Sequence, residues 1–554
     1  MRKKNIALAA AVTGAVTLLL LPALPTAAKG KAPMPAKWAP SQNYKPASDN
    51  REQCYACHDE IKALKEGSKH ADLSCKTCHD RMDEHMKDPE NHKPVTVIDQ
   101  ALCGKCHGDE YRTLNQVDYE AQAKKEKGTP TGRSPMQDKL LAPYGFTYEH
   151  DEPRGHVFMV IDQFSVDRFQ GGRFQFKKGW RGIDATGKTW DVLYDQAEGN
   201  REWKPLPQTA MAGNPTCIQC KTSDHILKWK FLGDKDPKAR WDRTSNVVDV
   251  AKDTNNPMGC IHCHDPHGAQ PRIVRDELIN EIDRGSKIFA GKDGKTDLKV
   301  MDFRGFRKIG IMQKPDSRMM CAQCHVEYAC GTGFEFDTGK KIGYEDRRTN
   351  HMPLLQVKQL LEHYKQINFY DFRHEVTGAR LVKLQHPEAE TYYGSVHDRA
   401  GVTCADCHMP IMKNAQGKSF RSHMVVKPKN HVREACLSCH AHSKDTETRK
   451  LYQLDATQNY IRGKMRKAEY WLGQLIDSYA AAQRMGVVPT VLDQARAKHE
   501  EAHVLWEWWT AENSDGFHNP ELARDSLALS ITASKAGVKM LNDAMAVARK
   551  GEPR

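Results

Sequence analysis

Apolar side chains are scarce in this chain: 39% of its 554 residues are hydrophobic and 8% aromatic. So thin a supply does not fill a large core, which argues either for disorder or for bulky cofactors that stand in for side chains. After Leu24 no apolar run is long enough to cross a bilayer. No tract concentrates lysine and arginine with interleaved aromatics, so the formal charge of +12 does not read as a nucleic-acid surface. The length predicts more than one domain.

The start of the chain is different. Arg2, Lys3 and Lys4 precede an apolar run from Ile6 to Leu24, and small residues end at Ala27 and Ala28. This is the pattern of a secretory signal peptide over residues 1–28 and implies a periplasmic protein, with an uncleaved membrane anchor as the other reading.

Cysteine is plentiful, and its spacing carries the chemistry. Of 17 cysteines, sixteen form eight Cys-x-x-Cys pairs: Cys54/Cys57, Cys75/Cys78, Cys103/Cys106, Cys217/Cys220, Cys260/Cys263, Cys321/Cys324, Cys404/Cys407 and Cys436/Cys439. Seven are followed at once by histidine: His58, His79, His107, His264, His325, His408 and His440. Two thiols that form thioethers and an adjacent imidazole that binds iron are the attachment signature of haem c. Zinc ribbons need paired knuckles, and disulfide scaffolds do not place a histidine after every second cysteine. Eight haems would bring sixteen propionates, which absorb much of the positive charge. Of 26 histidines, nineteen remain beyond the motifs, enough to fill second axial positions.

The eighth pair ends in Lys221 instead of histidine. A haem with two imidazoles carries electrons but has nowhere for a substrate, whereas a catalytic metal keeps an open position. Lys221, held deprotonated, is therefore expected to be the proximal ligand of the substrate-binding haem.

The lysine motif, with three further motifs ahead of it, resembles the octahaem branch of the ammonia-forming cytochrome c nitrite reductases, which are related to pentahaem enzymes. Arg154-Gly155-His156, Cys321 to Tyr328, Lys383 to Glu388, Gly401 to Pro410 and Asn513 to Pro520 look like family segments, over roughly residues 145 to 545. Residues 50 to 130 match only the octahaem extension.

The resemblance implies a distal trio of Arg168, Tyr328 and His386, with Arg173 a rival for the arginine. Arginine and imidazolium bind an anion and stabilise charge as an N–O bond breaks, and histidine and tyrosine deliver protons. It also implies a calcium ion held by the Glu327 carboxylate, the Tyr328 and Lys383 carbonyls and the Gln385 side chain, an oxygen set that suits that cation. Cys330, the unpaired cysteine, resembles the residue that octahaem members link to the site tyrosine; a buried inert thiol is the alternative.

As distal ligands the resemblance implies His156, His374, His397 and His423. For the three extra haems the choices are His70, His85 and His225, with His92, His150 and His267 as alternatives.

The expected fold is mainly α, with sparse regular structure around packed haems. A helix is expected from Pro353 with Leu354, Val357, Leu361 and Tyr364 on one face, and short strands between Phe174 and Tyr194. Beyond residue 450, Ile461, Met465, Ala468, Leu472, Ile476 and Tyr479 form one apolar stripe, and Leu527, Ile531, Val538, Leu541 and Met545 another. Gly486, Pro489 and the 513–520 segment should separate the helices. The expected divisions are a three-haem domain at 29–140, a catalytic five-haem domain at 141–450 and a helical region at 451–554.

The implied activity is six-electron reduction of nitrite to ammonium, fed by an electron donor such as a quinol dehydrogenase or small cytochrome, in a homo-oligomer, with hydroxylamine and sulfite as further substrates. Hydroxylamine oxidation and non-catalytic electron transfer are the rival readings.

Overall fold

The computed structural model describes residues 50–118, 134, 136–142, 155–160, 174–176, 193–195, 215–229, 240–291, 294–303, 307–329, 331–425, 427–441 and 446–551. The chain divides into two compact units, and the second, Pro40–Arg554, holds every described element. The expected signal peptide lies outside the described residues. Among the described residues no helix is long and apolar enough to cross a membrane.

Up to residue 441 the described elements are short helical turns and small antiparallel ladders joined by loops. The largest ladder has three strands, β1 (Arg272–Ile273), β2 (Lys299–Phe303) and β3 (Arg307–Ile311), with β3 in the middle. Between β1 and β2 lies α1 (Asp276–Asp283), which buries Leu278, Ile279 and Ile282 against Met312, Met319 and Tyr328. Phe174–Phe176 and Leu193–Asp195 pair antiparallel, as the sequence suggested.

The expected helix at Pro353 starts later, as α2 (Val357–Gln366). Leu354 has φ of +47°, a left-handed conformation that ends any helical run there, and Gln356 with Gln359 closes a capping box. Val357, Leu360 and Tyr364 form its buried face.

Three long helices complete the chain: α3 (Glu447–Arg484), α4 (Pro489–Ala511) and α5 (Pro520–Gly551). Gly486 at φ +68° turns the chain after α3, and Pro489 opens α4, where its missing N–H costs nothing. Ile461, Met465, Ala468, Leu472, Ile476 and Tyr479 are all buried against α4 and α5, as the periodicity requires. Trp506, Trp508 and Trp509 of α4 are fully buried, and the indoles of Trp508 and Trp509 donate to Thr391 and Ser526 at 2.8 and 2.7 Å. This is the main apolar core, and α2 packs on it.

Candidate haem centres and active site

Each attachment motif sits on a short helical turn. In five of them the histidine N–H donates to the carbonyl of the first cysteine: His58 to Cys54 at 3.1 Å, His107 to Cys103 at 2.9 Å, His264 to Cys260 at 2.9 Å, His325 to Cys321 at 3.0 Å and His440 to Cys436 at 2.9 Å. Residues i, i+3 and i+4 share one face of such a turn, so both thiols and the imidazole point the same way. No described cysteine forms a disulfide, so the thiols are available for thioether formation. Motifs also abut: Cys103 contacts Cys260, Cys220 contacts Cys324 and Cys321 contacts Cys404.

Three motifs lie nearer the surface of the polypeptide than the others. Cys57, Cys106 and Cys439, each the second thiol of its pair, are exposed, and so are the adjoining His58, His107 and His440. The cause is local: the turns that lead into Cys57 and Cys439, Arg51–Tyr55 and Arg433–Leu437, bury no residue, and the turn ahead of Cys106, Gln100–Gly104, buries only Gln100 and Gly104. These segments run along the surface, whereas the Cys321–Cys324 motif follows a turn that buries Ser317 and Met319. An exposed thiol is accessible for reaction, and the spacing of Cys57, Cys106 and Cys439 suits attachment.

Two imidazoles bound to opposite faces of one iron, each at roughly 2 Å, hold their ring centres roughly 6 Å apart. Motif histidines meet partners at that spacing: His58 with His85 at 6.2 Å, His79 with His267 at 6.3 Å, His107 with His70 at 6.1 Å and His264 with His423 at 6.3 Å. His408 pairs with His518 at 6.1 Å and His440 with His397 at 6.3 Å. His325 faces both His156 at 6.4 Å and His386 at 6.2 Å. Nδ1 of His70, His85 and His423 lies 2.8, 2.7 and 2.9 Å from the carbonyls of Pro266, His92 and Arg421, which turns Nε2 toward the partner ring. The residues therefore fit haem c.

Two expected distal ligands, His374 and His225, face no histidine of an attachment motif. His374 has its Nε2 3.0 Å from the Lys139 carbonyl and accepts at Nδ1 from the Val376 and Thr377 N–H groups, so both nitrogens are engaged by backbone. Its ring lies 4.8 Å from His499, too close for a shared iron. His518 occupies the corresponding place, its Nδ1 2.6 Å from Glu512. His225 lies 4.7 Å from His262, which ends no motif, and its Nδ1 is 2.7 Å from the Thr222 carbonyl. His267 stands opposite His79 instead, on a loop that Asp265 fixes by accepting from the His267 and Gly268 N–H groups at 2.9 and 2.7 Å. The sequence signal for His518 is its place in the Asn513 to Pro520 segment. For His267 it is its place three residues after His264.

Lys221 follows the helix Pro215–Ile218, and its N–H donates to the Ile218 carbonyl at 2.9 Å. Beside this motif Arg275, fully buried, donates to Gln219 and lies with its guanidinium 4.7 Å from the Tyr328 ring centre. Burial opposes the Arg275 charge, while the neighbouring Asp276 carboxylate favours it. The Tyr328 hydroxyl donates to Asn350, whose amide donates to Glu277 at 2.7 Å. Asn350, Glu277 and Arg275 carry no sequence signal. His386 Nδ1 lies 3.3 Å from the Asn513 amide, and Asn513 also donates to Glu388 at 2.6 Å. Arg168, Arg173 and Cys330 lie outside the described residues, as does the Cys217 side chain.

Glu327, fully buried, accepts from the Gln385 N–H at 2.8 Å and the Tyr364 hydroxyl at 3.1 Å. Its pKa is pushed up to about 8, first by burial and then by the charges of Asp371 and Glu507, against the pull of those two hydrogen bonds. The Lys383 carbonyl accepts from the Gln385 amide at 3.4 Å, which gathers three of the four expected calcium-binding residues. A buried carboxylate crowded by other acids suits a divalent cation. Among the described residues no group of three His, Cys, Asp or Glu side chains converges to hold a metal; the expected set has one carboxylate and otherwise neutral oxygens.

Repeated Cys-x-x-Cys-His turns, imidazoles facing each other at haem spacing, sparse regular structure and a long helical end define a multihaem c-type cytochrome. The chain belongs to the cytochrome c552 family, whose model matches residues 99–552. It is 27% identical over 430 residues to the cytochrome c nitrite reductase subunit NrfA of Nitratidesulfovibrio vulgaris, which covers 74% of this chain and 69% of that one. It is 25% identical over 388 residues to cytochrome c-552 of Porphyromonas gingivalis, covering 69% of this chain and 62% of that one. Its fold is similar to that of the cytochrome c nitrite reductase of Desulfovibrio desulfuricans, a structure described by its two calcium sites, with a TM-score of 0.56 at 23% identity over 82% of this chain and 89% of that one.

Proposed function

We propose that this protein is a periplasmic octahaem nitrite reductase that converts nitrite to ammonium at the haem attached to Cys217 and Cys220. The observation that carries the reading is the lysine motif lying against the Tyr328 segment: Cys220 Sγ is 3.8 Å from the Gln323 carbonyl, Cys324 Sγ is 3.7 Å from the Cys220 carbonyl, and Arg275 reaches both Gln219 and Tyr328. The 27% identity to a cytochrome c nitrite reductase subunit supports the same activity.

A haem held by Lys221 would supply electrons and an open position for the nitrogen of a small oxyanion. Around it the chain's own residues bind and move protons. Arg168, or Arg173, binds the anion and stabilises the charge that develops as an N–O bond breaks. His386, whose Nδ1 accepts from the Asn513 amide, delivers a proton from Nε2, and Tyr328 orients the bound species. His325 and His156 would hold one haem between them, which would leave His386 to act on the substrate. The six other histidine pairs would hold six further haems, which would supply stored electrons to the site without release of half-reduced nitrogen oxides. Glu327, Tyr328, Lys383 and Gln385 would hold a calcium ion, which would stiffen the Tyr328 and His386 segments. The three-haem division at 29–140 extends the electron path away from the catalytic part, 141–450, and the helical region packs against the latter.

Nitrite titrated into the ferric protein should perturb one haem of eight and leave seven unchanged. Replacing Lys221 with histidine should keep eight attached haems and change the catalytic rate. A ferric spectrum that no small nitrogen species alters would sink the enzymatic reading and leave an electron conduit.

A further inference from the structure

We propose that Glu277 and Asn350 are positioning residues that fix the direction of the Tyr328 hydroxyl. The inference deepens the proposed function and rests on its assignment of Tyr328 to the site.

The argument starts from the asymmetry of an amide. Its nitrogen only donates and its oxygen only accepts. Asn350 Nδ2 is spent on Glu277 Oε1 at 2.7 Å, and a carboxyl oxygen accepts there whether or not its group is ionised. Asn350 Oδ1 must then face Tyr328, and the phenol must donate to it, as it does. Flipping the amide would require the Glu277 carboxyl to become the donor and the phenol oxygen the acceptor at the same time, so the observed direction changes only if both neighbours reverse their roles together. Both residues are buried, Asn350 at 2% and Glu277 at 5% exposure, so water does not offer the cheap alternative that would let the amide turn.

The ring is held from the same element. Arg275 immediately precedes α1 and lies over the Tyr328 ring, while Glu277 sits in its first turn. Residues two apart on one strand-to-helix junction therefore fix the plane of the phenol and, through Asn350, the torsion of its hydroxyl. The groups facing Glu277 are Asp276, Glu281 and Arg284 of α1 and its margin, Arg275, and Asn350. Burial first and Asp276 second push the Glu277 pKa up to about 8, with Arg275 and Arg284 opposing. A phenol whose proton is committed to Asn350 offers lone pairs to the rest of the site. Proton delivery then falls to His386, and Tyr328 serves as an acceptor that orients a protonated nitrogen species.

The test uses the full haem-loaded protein with isotope-labelled tyrosine, and reads the phenol C–O band that disappears in Tyr328→Phe. Asn350→Leu should shift that band. Glu277→Leu should shift it in the same direction, and Glu277→Gln, whose side-chain oxygen still accepts, should restore at least half of what Glu277→Leu loses. In nitrite turnover Asn350→Leu should lower kcat by about tenfold with KM within about twofold, and should add nothing in a Tyr328→Phe background. Haem count per chain controls for folding, and the Glu277 pair reads the same coupling if Asn350→Leu does not assemble. An unmoved band in the Asn350 and Glu277→Leu variants overturns the proposal, as does an equal loss of kcat with and without the Tyr328 hydroxyl. A band that shifts in a protein forming no ammonium supports the positioning pair and removes the nitrite reading alone.

Discussion

The loop that carries His267 should detach when Asp265 loses its charge. Arg272 and Asp265 form an ion pair at 3.0 Å with side chains 2% and 0% exposed. The same guanidinium donates twice to the Ile261 carbonyl inside the Cys260–Cys263 turn, through Nε at 3.0 Å and Nη2 at 2.6 Å. The pair thus ties the turn that binds one haem to the loop that presents a ligand to another. Asp265→Asn keeps an oxygen for the His267 and Gly268 N–H groups but leaves Arg272 charged and buried without a counter-charge. Breaking one side of a buried pair costs about 3–5 kcal/mol. That is a change of roughly a hundredfold to a few thousandfold in the closed-to-open ratio of the loop. Low-temperature paramagnetic resonance of the ferric protein should show one bis-imidazole haem converted in part to a high-spin or differently ligated form, with the others unchanged. Adding Arg272→Met, which removes the orphaned charge, should recover most of the low-spin signal. An Asp265→Asn protein with a wild-type haem spectrum refutes the reasoning that this pair holds the ligand loop.

His518→Ala should convert one haem to high spin, while His374→Ala should leave all haem spectra unchanged; the two spectra together test which histidine faces His408. Glu277 holds its proton up to about pH 8, against an ordinary value of 4.5. Between those values the folded chain binds the proton and the unfolded chain does not, so stability falls as pH rises through the window, by an amount on the order of 3–5 kcal/mol. Glu277→Gln should therefore raise the melting temperature more at pH 9 than at pH 4, and an equal shift at both would contradict the assignment. Trp509→Ala, which empties a fully buried site and breaks the 2.7 Å bond to Ser526, should cost about 3–5 kcal/mol in denaturant melts without altering haem spectra.

What could be read from the sequence follows the range of the interaction. The attachment turns are local, and spacing alone put Cys103, Cys106 and His107, or Cys260, Cys263 and His264, on one face. Spacing is silent on burial, so it does not distinguish the exposed Cys57 and Cys439 from thiols set deeper in the fold. The stripe from Ile461 to Tyr479 was legible because a helix repeats its geometry every turn. Distal ligands are non-local. His267 meets His79 across long stretches of chain, because a buried ion pair folds its loop into place; its position three residues after His264 made it an alternative ligand without pointing to His79. His374 sits in a segment that resembles a ligand context, yet backbone groups occupy both its nitrogens. The start of α2 was not legible because a left-handed Leu354 is a tertiary strain that propensity does not foresee. Asn350 and Glu277 were illegible altogether, as a single asparagine or glutamate has no pattern until the fold brings it to a tyrosine.

The most direct test of the whole account is a product balance: purified protein, a reduced dye as electron source, and nitrite consumed measured against ammonium formed and dye oxidised. The account predicts one ammonium and six electrons per nitrite, with no nitric oxide or hydroxylamine accumulating. Nitrite left untouched by fully reduced protein, or consumed with a different product, would contradict it.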